Sequence, residues 1–168
     1  MANEEKGSKH RVLPADYLPL IVILVVAFIA GCALAMKDHL FVWKIAFMNF
    51  MGFFFIQLSI LKFFDIQGFV EGFSMYDIPT QRFKPYGYLY PFIELFLGLL
   101  YLTHWAPHLT YILTIIVMSV SAMGVFQAIT KKREISCACL GTVIKVPLTT
   151  VSLIENLGMG IMALVMLF

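Results

Sequence analysis

Apolar residues run along this chain in five long blocks separated by short polar joints. The blocks lie at about residues 17–36, 43–64, 88–105, 109–129 and 146–168. A helix needs about 20 mostly apolar residues to cross a bilayer, so the pattern predicts five transmembrane helices. Pro14 and Pro19 stand where the first of them begins. Two joints are longer than the rest. Residues 65–87, DIQGFVEGFSMYDIPTQRFKPYG, mix Phe, Met and Tyr with charge. They predict a short amphipathic helix and a turn lying along the membrane interface. Residues 131–147, KKREISCACLGTVIKVP, hold a basic run, two cysteines one residue apart and a glycine.

Polar and small residues inside a span belong on the face turned to other helices, because lipid offers them no partner. The second block places Asn49, Gly52 and Ser59 on one face, with Gln57 beside it. The third places Pro91, Glu94, Gly98 and Tyr101 at helical spacing. The fourth offers Ser119, Ala122 and Gln127, and the fifth Thr149, Ser152, Glu155, Asn156 and Gly160. The first block has Gly31 and Cys32 alone. The expected fold is an all-α integral membrane protein and a single membrane domain. Spans 2–5, within residues 43–168, form a four-helix transmembrane bundle. An extra N-terminal transmembrane helix at 17–36 packs on its outside, after a tail at 1–16.

Composition agrees with the pattern. Of 168 residues, 61% are hydrophobic and 13% charged, where a soluble domain carries about 25% charge. Mean hydropathy is +0.89. No pattern for nucleic-acid or soluble nucleotide binding is present. The net charge of +2 says little, but its distribution says more. Ten of the 12 basic residues fall in three regions: the N-terminal tail (Lys6, Lys9, Arg11), the second joint (Lys62, Arg82, Lys84) and the fourth joint (Lys131, Lys132, Arg133, Lys145). Lys37 and Lys44 lie on the other side. Basic residues collect on the cytoplasmic side, so the N-terminus and the cysteine joint are expected there and the C-terminus outside. IAGC, residues 29–32, matches a lipoprotein cleavage pattern. A tail containing Glu4, Glu5 and Asp16 favours instead a helix with Gly-Cys-Ala at a packing face.

Few residues carry chemistry. Glu94 lies about two turns into an apolar span, where an ionised carboxylate must be paired or neutralised. It is either a proton or cation site, able to assist thiol chemistry, or a structural hydrogen bond to another helix. Glu155, beside Asn156, invites the same two readings, with a lean to structure. Lys62 and Asp65 are three residues apart at the end of the second span and are expected to pair at the interface. Tyr76 and Asp77 are placed to reach the bundle mouth. His104 and His108 flank Pro107, which favours a solvated turn over a metal site. The ten Met residues read as core filling. Cys137 and Cys139 follow Lys-Lys-Arg, and nearby positive charge favours thiolate. A disulfide across one residue closes a small ring suited to exchange, and two thiolates so close also suit a soft ion such as Cu(I). The residues leave both open, beside a purely structural role.

The order of elements resembles the membrane family of the methylamine-utilisation protein MauE, which is DoxX-like. The resemblance covers roughly residues 49–168. It rests on Lys62-x-x-Asp65 in LKFFDIQGF, on Pro91-x-x-Glu94-x-x-x-Gly98 in YLYPFIELFLGLLYL, and on Cys137-x-Cys139-x-Gly141 in CACLG. The family loop is typically Cys-Gly-Cys-Phe-Gly, and here Ala138 and Leu140 fill its variable places. The resemblance implies a redox-associated protein of the bacterial inner membrane. The namesake serves maturation of a disulfide-rich periplasmic enzyme beside a thioredoxin-like protein. By that likeness Cys137 and Cys139 would shuttle between thiol and disulfide. Similar chains often carry a heavy-metal-associated domain at the N-terminus, which points instead to soft-metal handling with a metal-carrying partner.

Overall fold

The computed structural model describes residues 18–37, 40–130 and 148–168. Helix α1 spans Leu18–Leu34, and a two-residue antiparallel ladder follows, β1 (Met36–Lys37) against β2 (Leu40–Phe41). Then come α2 (Trp43–Phe64), α3 (Ile66–Ser74), α4 (Ile78–Arg82), α5 (Lys84–Thr103), α6 (Pro107–Thr130) and α7 (Leu148–Leu167). Each of the five predicted spans is a helix. Among the described residues, Trp43–Phe64 and Pro107–Ala128 are long and apolar enough to cross a membrane. Helix α5 starts earlier than the apolar pattern because Lys84 and Pro85 form its first turn, where a proline costs no intrahelical bond.

Small residues set the helix contacts. Ala27 and Gly31 on α1, and Ala35 just past its end, are buried at spacings of four. A Cβ on Gly31 would stand 2.8 Å from the Phe50 amide nitrogen and 3.0 Å from the Ala46 carbonyl oxygen. Of the Gly-Cys-Ala stretch, Gly31 thus packs against α2, while Cys32 is half-buried and Ala33 exposed. Between α2 and α5, Gly52 meets Gly98: a Cβ on Gly98 would lie 2.9 Å from the Gly52 carbonyl oxygen. Lipid gives helices no hydrophobic reason to associate, so close backbone approach of this kind is what holds them. Helix α6 packs along α7 and α5 along α6. The outward faces stay apolar, with Phe92, Phe96, Ile112, Ile116, Ile161 and Val165 exposed. Apolar surface of this extent marks contact with lipid.

The 65–87 joint holds the expected short amphipathic helix and turn, followed by a further short helix. It forms two helices, and α3 buries Phe69, Val70 and Phe73 against the bundle. Asp65 starts α3 by accepting the Gly68 N–H at 2.9 Å. Asp77 starts α4 by accepting the Thr80 N–H at 3.0 Å and the Thr80 hydroxyl at 2.6 Å. Gly124 of α6 lies beneath this connection, where a Cβ would stand 2.7 Å from the Tyr76 carbonyl oxygen. Burial pushes the Asp77 carboxyl above its ordinary value, and the two Thr80 hydrogen bonds only partly oppose it. A raised folded-state value contributes stability below the unfolded value and loses it as pH rises through the folded one. Asp77→Asn keeps an acceptor for Thr80 and carries no charge. At neutral pH it is expected to be at least as stable as the wild type, with the difference shrinking on the acid side. Thermal unfolding across pH checks this.

The α6 face differs from the expected one. Ser119 and Gln127 are exposed and Ala122 is half-buried. The buried stripe is Tyr111, Thr114, Met118, Ser121, Val125 and Ala128. Thr114 Oγ1 donates to the Thr110 carbonyl at 2.8 Å and accepts from the Tyr101 hydroxyl of α5 at 3.1 Å, so this buried hydroxyl ties the two helices. At the far end, His104 closes α5 with a left-handed backbone, φ 52°. His104 and His108 are both exposed, in keeping with a solvated turn.

Candidate functional site

Lys62 and Glu94 meet inside the protein. The reading by sequence spacing keeps Lys62 at the interface beside Asp65. Lys62 is not at an exposed interface: it is 2% exposed and donates to Glu94 Oε2 in a buried ion pair. The reason lies in α3, which folds back over the end of α2 and covers the surface Lys62 would have reached. Phe69 of α3 and Tyr90 of α5 each place a ring centroid 5.5 Å from the Lys62 ammonium. Phe73 packs on Tyr90 with centroids 4.6 Å apart. The electron-rich faces of such rings favour a cation and keep water away from it.

Glu94 sits ten residues beyond Lys84 in α5, about 15 Å along the helix. One turn before it Pro91 has no N–H, so the helix lacks one backbone bond there. Ser59 Oγ of α2 donates to the Pro91 carbonyl at 2.8 Å and ties the two helices at that level. The Gly52–Gly98 contact lies further along and fixes how near α2 comes to α5. Pro91, Glu94, Gly98 and Tyr101 are all buried, as their spacing predicts.

The other two long helices complete the site. Asn156 Nδ2 of α7 donates to Ser121 Oγ of α6 at 3.1 Å. Lys62, Glu94, Ser121, Glu155 and Asn156 line one cavity of about 10 Å³, closed by Phe55, Phe69, Phe73 and Tyr90. That is room for about one water. Polar side chains from α2, α5, α6 and α7 therefore converge on a single point. A buried ion pair with a second carboxyl beside it can hold or pass a proton. Sequence reasoning found Lys62, Glu94, Glu155 and Asn156 separately and missed Ser121 and the aromatic cover. Ser121 was legible as one position of the 3–4 spaced buried stripe on α6. Phe69 and Phe73 were legible as a pair four apart.

Cys137, Cys139 and Gly141 lie outside the described residues, as do the side chains of Thr149 and Ser152. Among the described residues no group of three His, Cys, Asp or Glu side chains is placed to hold a metal ion. Cys32 is a half-buried free thiol on α1.

No curated protein and no solved structure matches the chain. The family model described as "Methylamine utilisation protein MauE" matches residues 38–168, which include α2 to α7 and every residue of the cavity and leave α1 ahead of the matched region. The chain is a helical membrane protein and belongs to the methylamine utilisation protein MauE family.

Proposed function

We propose that α2, α5, α6 and α7 form a four-helix transmembrane bundle, with α1 as an additional spanning helix, in a bacterial cytoplasmic membrane. Within it the chain acts as a thiol-redox protein. Cys137 and Cys139 exchange between dithiol and disulfide and so support maturation or redox poise of a partner protein. When a partner disulfide oxidises them, two electrons and two protons leave the pair and the partner ends as a dithiol. The reverse step restores the thiols.

The observation that carries this reading is where the ends of α6 and α7 lie. Helix α6 runs toward the α3–α4 connection, with Gly124 against Tyr76. Glu155 stands about two turns into α7. Thr130 ends α6 and Leu148 begins α7, and both helices line the cavity of the Lys62–Glu94 pair. Glu94, a buried ionisable group of that cavity, is the candidate to take up or return protons in the exchange. Lys131, Lys132 and Arg133 favour the reactive thiolate. Lys62, being buried, leaves the count of basic residues that orient the chain. The remaining nine against two still favour the cysteine segment and the N-terminus on the cytoplasmic side, with the C-terminus outside.

The test is thiol labelling from each side of the membrane, with and without reductant, together with elemental analysis for copper. Reductant-dependent labelling at Cys137 and Cys139 without copper is the expected result. Stoichiometric copper lost in a Cys137→Ser, Cys139→Ser double variant would make the cysteines soft-metal ligands. Full activity of that variant in the host pathway would leave a structural subunit.

A further inference from the structure

Two groups of helices meet at the cavity. Helices α1, α2 and α5 form one, joined by the Gly31 and Gly52–Gly98 contacts. Helices α6 and α7 form the other. They pack closely along each other, and Asn156 donates to Ser121 between them. Helix α6 is fastened to the rest of the chain at two levels. Near its start it is tied to α5, where the Tyr101 hydroxyl donates to Thr114 Oγ1 at 3.1 Å. Ten residues on, about 15 Å along the helix, the backbone of Gly124 lies against Tyr76 and Asp77. A Cβ there would stand 2.7 Å from the Tyr76 carbonyl oxygen. Two such points define an axis along α6.

Toward α1 and α2, helix α7 faces space. A crevice of about 330 Å³ opens between the three helices, with Leu20 and Leu24 on one side and Gly158 and Met162 on the other. A Cβ on Gly158 would meet nothing within 4 Å. Glu155 and Met159 line this crevice and also the cavity of the Lys62–Glu94 pair. They stand one turn apart on α7, so that single turn is the partition between the two spaces. Met159 is unbranched and flexible, a side chain able to re-pack as its helix shifts.

We propose that α7 is a lateral gate: turning about the axis fastened along α6, it swings away from α1 and α2, carries the Glu155–Met159 partition with it and joins the cavity to the crevice. Small movements of packed helices past one another are an established route to opening a closed site. The gate sets when the Lys62–Glu94 pair is reached from outside, and it operates whether or not the cysteines exchange.

Cross-linking tests it, with acetylation of Lys62 by acetic anhydride as the readout. The unprotonated amine attacks an anhydride carbonyl, acetate leaves and the amine proton passes to solvent, so the reagent must reach the cavity. The full chain in lipid nanodiscs carries Cys32→Ser, Cys137→Ser and Cys139→Ser, so a failed thiol mechanism would not touch the result. Leu24→Cys and Gly158→Cys are added and joined by a short bifunctional methanethiosulfonate, which ties α1 to α7 and is released by reductant. A second protein carries Ser119→Cys and Gly160→Cys, from a groove between α6 and α7, where the same bridge joins helices that move together. Mass spectrometry follows Lys62 against the exposed Lys84. The α1–α7 bridge is expected to slow Lys62 several-fold and leave Lys84 unchanged, and reductant to restore the rate. The α6–α7 bridge is expected to leave Lys62 unchanged. A Lys62 rate indifferent to the α1–α7 bridge would overturn the gate. Equal slowing by both bridges would overturn it too, because labelling would then follow general unfolding.

Discussion

Lys62→Met is expected to be the most damaging single substitution in the described part of the chain. It leaves Glu94 and Glu155 in one cavity without a cation, and a buried pair broken on one side costs about 3–5 kcal/mol. The rings of Phe69 and Tyr90 also lose the charge they face. Glu94→Gln is expected to cost less, because Glu155 lines the same cavity and can take over as the partner of Lys62. A Lys62→Met, Glu94→Leu double variant removes both charges of the pair. It should recover most of the lost stability, since replacing a buried pair with apolar groups is often neutral. Thermal unfolding in detergent, followed by helical circular dichroism, ranks the three. Equal loss in Lys62→Met and in the double variant would mean that packing around the lysine stem, and not its charge, matters. A double variant that folds but fails in the host pathway would separate a functional ion pair from a structural one.

Gly98→Ala is the second large effect. The new methyl would lie 2.9 Å from the Gly52 carbonyl oxygen and 3.2 Å from the Ile56 amide nitrogen, both of them backbone atoms. Backbone of a helix cannot step aside as a side chain can, so α2 and α5 must separate. A loss of about 1–3 kcal/mol is expected, together with a weaker Lys62–Glu94 pair, whose two partners ride on these helices. Gly158→Ala is the control. An added Cβ there meets nothing within 4 Å, so only helix propensity acts, and a gain of up to about 1 kcal/mol is expected. Opposite signs for two glycine-to-alanine changes within helices would show that contact, and not propensity, governs Gly98. Losses of similar size at both positions would refute the close-approach account.

These two effects also show why the ion pair and the glycine contact belong together. Lys62 reaches Glu94 only because α2 and α5 come close, and Gly52 and Gly98 permit that approach. Ser59 and Pro91 hold the same helices between those levels. The site is thus a consequence of one helix pair, closed from above by α3 and from the far side by Ser121 and Asn156.

The helices themselves were legible from the chain alone. Helix α2 runs from Trp43 to Phe64 as its apolar run does, because a helix satisfies its backbone within its own segment and needs no partner to set its length. The inward faces of α2 and α5 were legible for a related reason: Asn49, Ser59, Glu94 and Gly98 are types that lipid does not favour. The α6 face was not, because its polar residues lie on both sides of the helix: Thr110, Thr114 and Ser121 turn inward while Ser119 and Gln127 are exposed. Partner choice was beyond sequence as well. Asp65 is three residues from Lys62 and Glu94 is 32 away, and local spacing can propose only the nearer one. What brought Glu94 to Lys62 was the return of α3 over the end of α2, which took Lys62 out of water and made a second buried charge a partner for it. The burial of an ionisable group depends on which helices come together in space, and that is settled only when the whole chain has packed.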